Sequence, residues 1–255
     1  MNNIFDSHAH YDSEAFNDDR KELLNALPEQ GVCGIINCGT DIASSLKSLE
    51  YADEFPFVYA ACGIHPHEAE SCKDGYISVL RNFCNDAKCV AVGEIGLDYH
   101  YDFSPRDIQK KIFEEQLILA KELDLPVIVH DRESHEDTLD LLKKYRPKGV
   151  VHCFSGSAEM AKEVVKLGMY IGLGGAVTFK NARKPLEVAA VVPQDKLLIE
   201  TDCPYMTPVP FRGKRNDSSF IPYAAETIAS VRGMTPQEVL DITRENANKL
   251  FGLEL

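Results

Sequence analysis

Short apolar runs alternate with longer segments whose apolar residues recur at helical spacing along the whole chain. Eight runs read as strands: residues 4–10, 32–37, 57–62, 90–94, 127–130, 149–152, 169–173 and 197–202. Each is too short for a helix and is bounded by Gly, Pro or polar turn residues. Helices are expected between them over 13–27, 42–53, 76–83, 104–123, 136–145, 158–167 and 182–192, and two more, 219–231 and 236–251, close the chain. Ser104–Pro105–Arg106–Asp107 forms a helix start, with serine capping, proline in the first turn and aspartate at the positive end of the dipole. Thr235 and Glu238 have capping-box spacing, and Gly252 suits a helix stop.

Eight apolar strands in strict alternation with helices predict a parallel sheet covered by helices. Eight is the number that closes as a (β/α)8 TIM barrel, which typically takes about 250 residues. The chain has 255. No G-x-G-x-x-G follows the first strand, where an open nucleotide-binding sheet would carry it. A single domain over residues 1–255 is expected.

The runs share a second property: several end in residues that bind metals. His8 and His10 close the first, Glu94 the fourth, His130 the fifth, His152 the sixth and Asp202 the eighth. A single histidine at a strand end is usually a hydrogen-bonded structural residue. Six such groups at one mouth of a barrel are different, because burying them together is costly unless a cation accompanies them. His8 and His10, two residues apart on extended backbone, point to the same side. Imidazoles and carboxylates together suit zinc, manganese or another divalent ion. Six donors exceed one tetrahedral ion but fit two ions sharing a bridging carboxylate, for which Glu94 is the natural choice.

Composition narrows the picture. The net charge of −13 leaves no global basic footprint and argues against a protein that coats nucleic acid, although a local cationic site remains open. No stretch approaches about 18 uninterrupted apolar residues, so no membrane span is expected, and no secretory signal is visible. The eight cysteines include no C-x-x-C and read as reduced core residues of a cytoplasmic protein.

Asp6–Ser7–His8–Ala9–His10, Gly63–Ile64–His65–Pro66–His67, Gly93–Glu94–Ile95–Gly96–Leu97–Asp98–Tyr99, His130, His152–Cys153–Phe154–Ser155–Gly156, Glu200–Thr201–Asp202–Cys203–Pro204–Tyr205 and Arg212–Gly213–Lys214–Arg215–Asn216 occur in that order. Together they resemble the TatD-type metal-dependent deoxyribonucleases over essentially the whole chain. The resemblance implies a TIM-barrel metallohydrolase of the amidohydrolase superfamily with two divalent ions (Zn, Mn or Mg). It also implies deoxyribonuclease activity, with His8, His10, Glu94, His130, His152 and Asp202 as ligands. The family often continues the basic motif with Glu-Pro, where this chain has Asp217–Ser218.

The expected chemistry is phosphodiester hydrolysis by water activated between two ions. His8, His10, Glu94 and Asp202 would hold one ion, and Glu94, His130 and His152 the other, with Asp202 also orienting or deprotonating the water. Glu200, parallel to Asp202 on the last strand, is expected to support the ligands from behind. His65, Arg212, Lys214 and Arg215 are the expected substrate contacts, with Arg132 and Lys180 weaker candidates of the same kind, and His100 and His135 receive no role. The expected partner is DNA, as single strands or ends, bound by a monomer. The alternative is an amidohydrolase-like enzyme acting on a small cyclic amide, lactone or ester; such enzymes often carry a carboxylated lysine where Glu94 stands here.

Overall fold

The computed structural model describes Met1 to Leu255 and gathers all eight apolar runs into one sheet. The strands are β1 (Ile4–Ala9), β2 (Val32–Cys38), β3 (Val58–Cys62), β4 (Cys89–Asp98), β5 (Val127–Arg132), β6 (Gly149–Val151), β7 (Tyr170–Leu173) and β8 (Leu197–Ile199). They lie in chain order, each parallel to the next. The helices are α1 (Arg20–Ala26), α2 (Ile42–Glu54), α3 (Tyr76–Cys84), α4 (Arg106–Leu123), α5 (His135–Tyr145), α6 (Ala158–Lys166), α7 (Arg183–Val191), α8 (Ile221–Arg232) and α9 (Pro236–Phe251). This is the (β/α)8 barrel that the alternation predicts.

The barrel closes without a regular ladder between β8 and β1. The residues after β8 make the seam: Asp202 N–H donates to the His8 carbonyl at 3.0 Å and His10 N–H to the Cys203 carbonyl at 2.8 Å. The Ser7 hydroxyl adds a bond to Ile199 O at 3.0 Å.

Strand pleating explains the polar mouth. Phe5, Ile36, Ala61, Ala91, Ile128, Val150 and Leu198 belong to one buried cluster that Ala247 and Phe251 of α9 join. Because side chains alternate with period two, the residues two beyond Ile128, Val150 and Leu198 share their face, one layer up. Those residues are His130, His152 and Glu200. A separate and larger apolar cluster lies between the strands and the helices.

Some expected boundaries move for identifiable reasons. Residues 13–27 form a short 3₁₀ turn (Glu14–Phe16) and then α1, not one helix. Asn17, Asp18 and Asp19 interrupt it, in keeping with their preference for turns and caps. The Arg20 guanidinium fastens the break by donating to the carbonyls of Tyr11 and Ser13 and to Asn17 Oδ1. Pro105 sits at the N-cap of α4 in place of Ser104; the Ser104 hydroxyl instead accepts from Glu70 N–H and donates to the His67 carbonyl. The α9 capping box and the left-handed Gly252 stop are as expected. Strand β4 continues four residues past Glu94. Gly96 permits this with a φ of +146° at a point where any Cβ would strike the His130 carbonyl.

Candidate metal centre

Glu94 stands at the middle of the mouth, 3% exposed, and its two oxygens face different sets of imidazoles. Oε2 lies 3.3 Å from Nε2 of both His8 and His10. Oε1 lies 2.9 Å from His130 Nδ1, 2.8 Å from His152 Nε2 and 3.4 Å from His65 Nε2. Asp202 completes the first side, with Oδ1 3.8 Å from His8 Nε2 and 3.6 Å from His10 Nε2. The structure therefore brings all six expected ligands together and adds His65.

Each outer nitrogen has its own neighbour, which decides what the inner nitrogen offers. His10 Nδ1 bonds the Cys38 carbonyl at 2.9 Å, and His130 Nε2 bonds Asp98 Oδ2 at 3.0 Å. A carbonyl and a carboxylate only accept, so both nitrogens carry protons and the lone pairs on His10 Nε2 and His130 Nδ1 face inward. His152 Nδ1 lies 3.5 Å from Glu200 Oε1, which also accepts from Cys153 N–H. Glu200 thus stands behind His152 without a hydrogen bond to its Nδ1, and Gly172 makes room for it, since a Cβ there would collide with Glu200 Oε2.

His65 differs. Its Nδ1 accepts from the His67 N–H at 3.1 Å, so the proton of the neutral ring is on Nε2, aimed at Glu94 Oε1. Burial pushes its pKa down to about 4 against the pull of Glu94, which keeps the ring neutral at pH 7. It is a hydrogen-bond donor beside the cluster.

The donor chemistry fits metal ions. His8 Nε2 and His10 Nε2 are 3.0 Å apart, and His130 Nδ1 and His152 Nε2 are 3.4 Å apart. Donors about 2.1 Å from a common ion lie roughly 3–3.5 Å from one another. Lone pairs converging at these distances repel unless positive charge stands between them. The titration of the site expresses the same demand. With no ion between the donors a proton takes its place: burial acts against charge on His10, yet Glu94 and Asp202 push it up to about 9. His152 is raised well above its ordinary value against burial, chiefly by Glu94 and Glu200. Glu94, despite complete burial, is held well below the carboxylate range by His152, His65 and His8. Two triads of expected ligands have mutual donor distances suited to a metal, His8–His10–Glu94 and His8–His152–Asp202; a third close group, His65–Glu94–His130, includes the protonated Nε2 of His65.

Asp202 and His130 are the most exposed members, with side chains 19% and 16% accessible, so the cluster opens to solvent between them. Asp202 lies beyond β8 in a left-handed turn (φ 56°), a conformation aspartate tolerates. Burial, Glu94 and Glu200 raise it while His152 and His10 lower it, leaving it at about 6.

The basic segment is partly committed elsewhere. Arg215 makes a bidentate pair with Asp19 at 2.7 and 2.6 Å and donates to Ala15 O. Arg212 donates to the Thr207 carbonyl and lies over the Phe179 ring at 3.9 Å. Lys214 makes no ion pair and lies 5.3 Å from the Phe211 ring centre. Buried Asn216 holds the segment to the seam by donating to the carbonyls of Thr201 and Tyr205. Ser218, at the departure from the family pattern, donates to Asp6 at 2.7 Å.

Two residues near the cluster were not singled out from the sequence. Asp98 Oδ2 accepts from both His130 and His67 at 3.0 Å each. Ending the fourth strand at Glu94 concealed it; the alternation Glu94–Gly96–Asp98 puts it on the ligand face. His67 stands in a quoted motif but received no role.

An eight-stranded parallel barrel with buried imidazoles and carboxylates at the C-terminal strand ends defines the metallohydrolase class. Residues 5–252 match the model of the family described as TatD related DNase. The chain is 45% identical over 251 residues to an uncharacterized metal-dependent hydrolase, YabD, of Bacillus subtilis, covering 97% of this chain and 98% of the relative. It is 37% identical to a 3'-5' ssDNA/RNA exonuclease TatD of a Rahnella species, covering 94% and 95%. The crystal structure of YjjV, a TatD homolog from Escherichia coli, superposes with a TM-score of 0.93 at 35% identity, over 99% of both chains. The chain belongs to the TatD-related DNase family and is a metal-dependent hydrolase.

Proposed function

We propose that this hydrolase cleaves phosphodiester bonds in nucleic acid, DNA foremost, working from single strands or exposed ends. The observation that carries the reading is the division of labour at Glu94. One oxygen turns to His8 and His10, the other to His130 and His152, so one carboxylate can bridge two divalent ions. His8, His10, Glu94 and Asp202 would hold one ion, and Glu94, His130 and His152 the other. Bound there, the ions would supply water of lowered pKa and neutralise charge on the phosphoryl group.

The chain's own groups do the rest. Asp202, held at about 6 and open to solvent, accepts the proton of the attacking water. As the water oxygen bonds to phosphorus, the bond to the leaving sugar oxygen breaks, that oxygen keeps the bonding pair and takes a proton from solvent, and charge gathers on the non-bridging oxygens on the way. His65 Nε2–H, turned from Glu94 towards the substrate, would donate to one of them. Asp98 holds His130 in register, and Glu200 lends negative charge behind His152. Lys214 and Arg212 offer sequence-independent charge to flanking phosphates, while Arg215 fixes their segment to Asp19. Every group comes from one chain, so a monomer has a complete site, and eight unpaired cysteines suit the cytoplasm.

The named relative supports the substrate class. The test is turnover of single- and double-stranded DNA, RNA, and small lactones and esters with Mg, Mn or Zn, alongside elemental analysis. Strand cleavage with close to two bound ions is expected. Turnover of a lactone or ester with no nucleic acid cleaved under any metal would overturn the reading in favour of the amidohydrolase alternative.

A further inference from the structure

Beside the metal cluster, the loop after β4 presents two large aromatic side chains to solvent. Tyr101 is 48% and Phe103 64% exposed, in a protein whose other large rings are mostly inside. Their rings stack on one another, centroids 5.2 Å apart and planes 20° from parallel. The Arg132 guanidinium, at the end of β5, sits 4.7 Å from the Tyr101 centroid. The His67 ring turns edge-on to both, at 5.4 Å and 4.8 Å.

This platform is tied to the site. His67 is 4.3 Å from His65 and 6.3 Å from His130, centroid to centroid. Asp98 makes the connection rigid. Its Oδ2 accepts from His130 and His67, and its Oδ1 accepts from the N–H groups of His100 and Tyr101 at 3.0 and 2.9 Å. Gln109 locks the base of the loop by bonding the Asp98 N–H and carbonyl and the Ser104 carbonyl. Arg106 grips Asp102 at the loop's tip. One carboxylate therefore sets both a candidate metal-binding imidazole and the aromatic pair.

Exposed rings beside the metal cluster add little buried apolar surface to the core. What they offer is a flat face with adjacent positive charge, in fixed relation to the place where a phosphate would be cut. We infer that Tyr101, Phe103 and Arg132 form a stacking platform for the unpaired nucleobase next to the scissile phosphate. Phe103, the more exposed ring, takes the base, and Arg132 faces the adjoining phosphate. Every base has a π face, so such a platform is indifferent to sequence. A base inside a duplex has both faces covered, so the platform selects single strands and frayed ends. Because hydrogen bonds with Asp98 and Gln109 already tie the loop down, binding costs little conformational entropy. The inference rests on the nucleic-acid reading of the site and names the feature that makes the substrate single-stranded.

The test compares a single-stranded oligonucleotide with the same strand carrying a tetrahydrofuran abasic residue beside the scissile phosphate. Wild type and the Tyr101→Ala/Phe103→Ala double variant are measured with equal metal content and matched melting curves. Wild type is expected to favour the ordinary strand by ~10-fold or more in kcat/KM, mostly through KM. The double variant should lose that preference, its kcat/KM ratio between the two strands falling to about one, and Tyr101→Phe should keep it. Equal wild-type turnover of both strands, or an equal loss on both in the variant, would overturn the platform. A binding arm uses a strand ending in 2-aminopurine, whose fluorescence falls on stacking. Quenching by wild type but not by the double variant upholds the platform even if no strand is cleaved, in which case the nuclease reading alone fails. Absence of quenching by wild type overturns the platform.

Discussion

Asp6 and Glu94 are both buried carboxylates, and their neighbours push them in opposite directions. Asp6 is surrounded by donors with fixed protons: Thr201 N–H and hydroxyl at 2.9 and 2.6 Å, the Ser218 hydroxyl at 2.7 Å and His8 N–H at 3.3 Å. Burial still outweighs them and raises Asp6 to about 7, so either protonation state is tolerated. Glu94 meets only imidazoles, and they hold it ionised. A carboxylate satisfied by N–H and O–H groups is a structural fastener. One that faces converging lone pairs is completed only by a cation.

The strongest way to break this contrast is Glu94→Gln. With the bridge gone, turnover should fall by about 10³-fold, the equivalent of several kcal/mol of charge stabilisation. The melting temperature of wild type should drop on chelation, whereas that of the variant should not respond; elemental analysis and thermal melts with and without chelator measure both. Asp6→Ala should do the reverse. Stranding buried donors at the seam is expected to cost about 3 kcal/mol whether or not metal is present, read from denaturant unfolding of chelated protein.

Asp98→Asn sharpens the comparison by changing a carboxylate that serves both purposes. It should lower metal affinity or kcat by about 10–100-fold without unfolding the barrel, as titration calorimetry and steady-state kinetics would show. The smallest effect concerns pH. Since the folded pKa of Asp6 lies above its ordinary 3.8, the native state binds the extra proton between about 4 and 7, and this group's contribution to stability falls as pH rises through that window. Asp6→Asn should flatten the stability–pH profile there; an unchanged slope counts against the raised pKa.

Most of this was legible in the sequence because one periodicity governs both core and site. Ile128 and His130, Val150 and His152, and Leu198 and Glu200 are consecutive inward positions, so a strand pattern that ends in a ligand type also predicts where that residue points. What stayed hidden depends on partners remote in sequence. Nothing local shows that Arg215 is taken by Asp19, that Ser104 is drawn from its helix by Glu70 and His67, or that His65 is turned into a donor by the His67 N–H. Glycines at 93 and 96 look like the end of a strand until the close passage of β5 explains Gly96.

The seam between β8 and β1 has a dynamic consequence. The amides that close it, Asp202 N–H and His10 N–H, belong to residues whose side chains stand at the metal cluster. Opening the barrel at this seam and releasing a bound ion would therefore be coupled motions, and the coupling would be reciprocal. A cation held between His10 and Asp202 would act as a clasp, slowing hydrogen exchange at those two amides far more than along the β4–β5 ladder. Conversely, any change that loosens the seam should surface first as faster metal loss, well before the fold gives way.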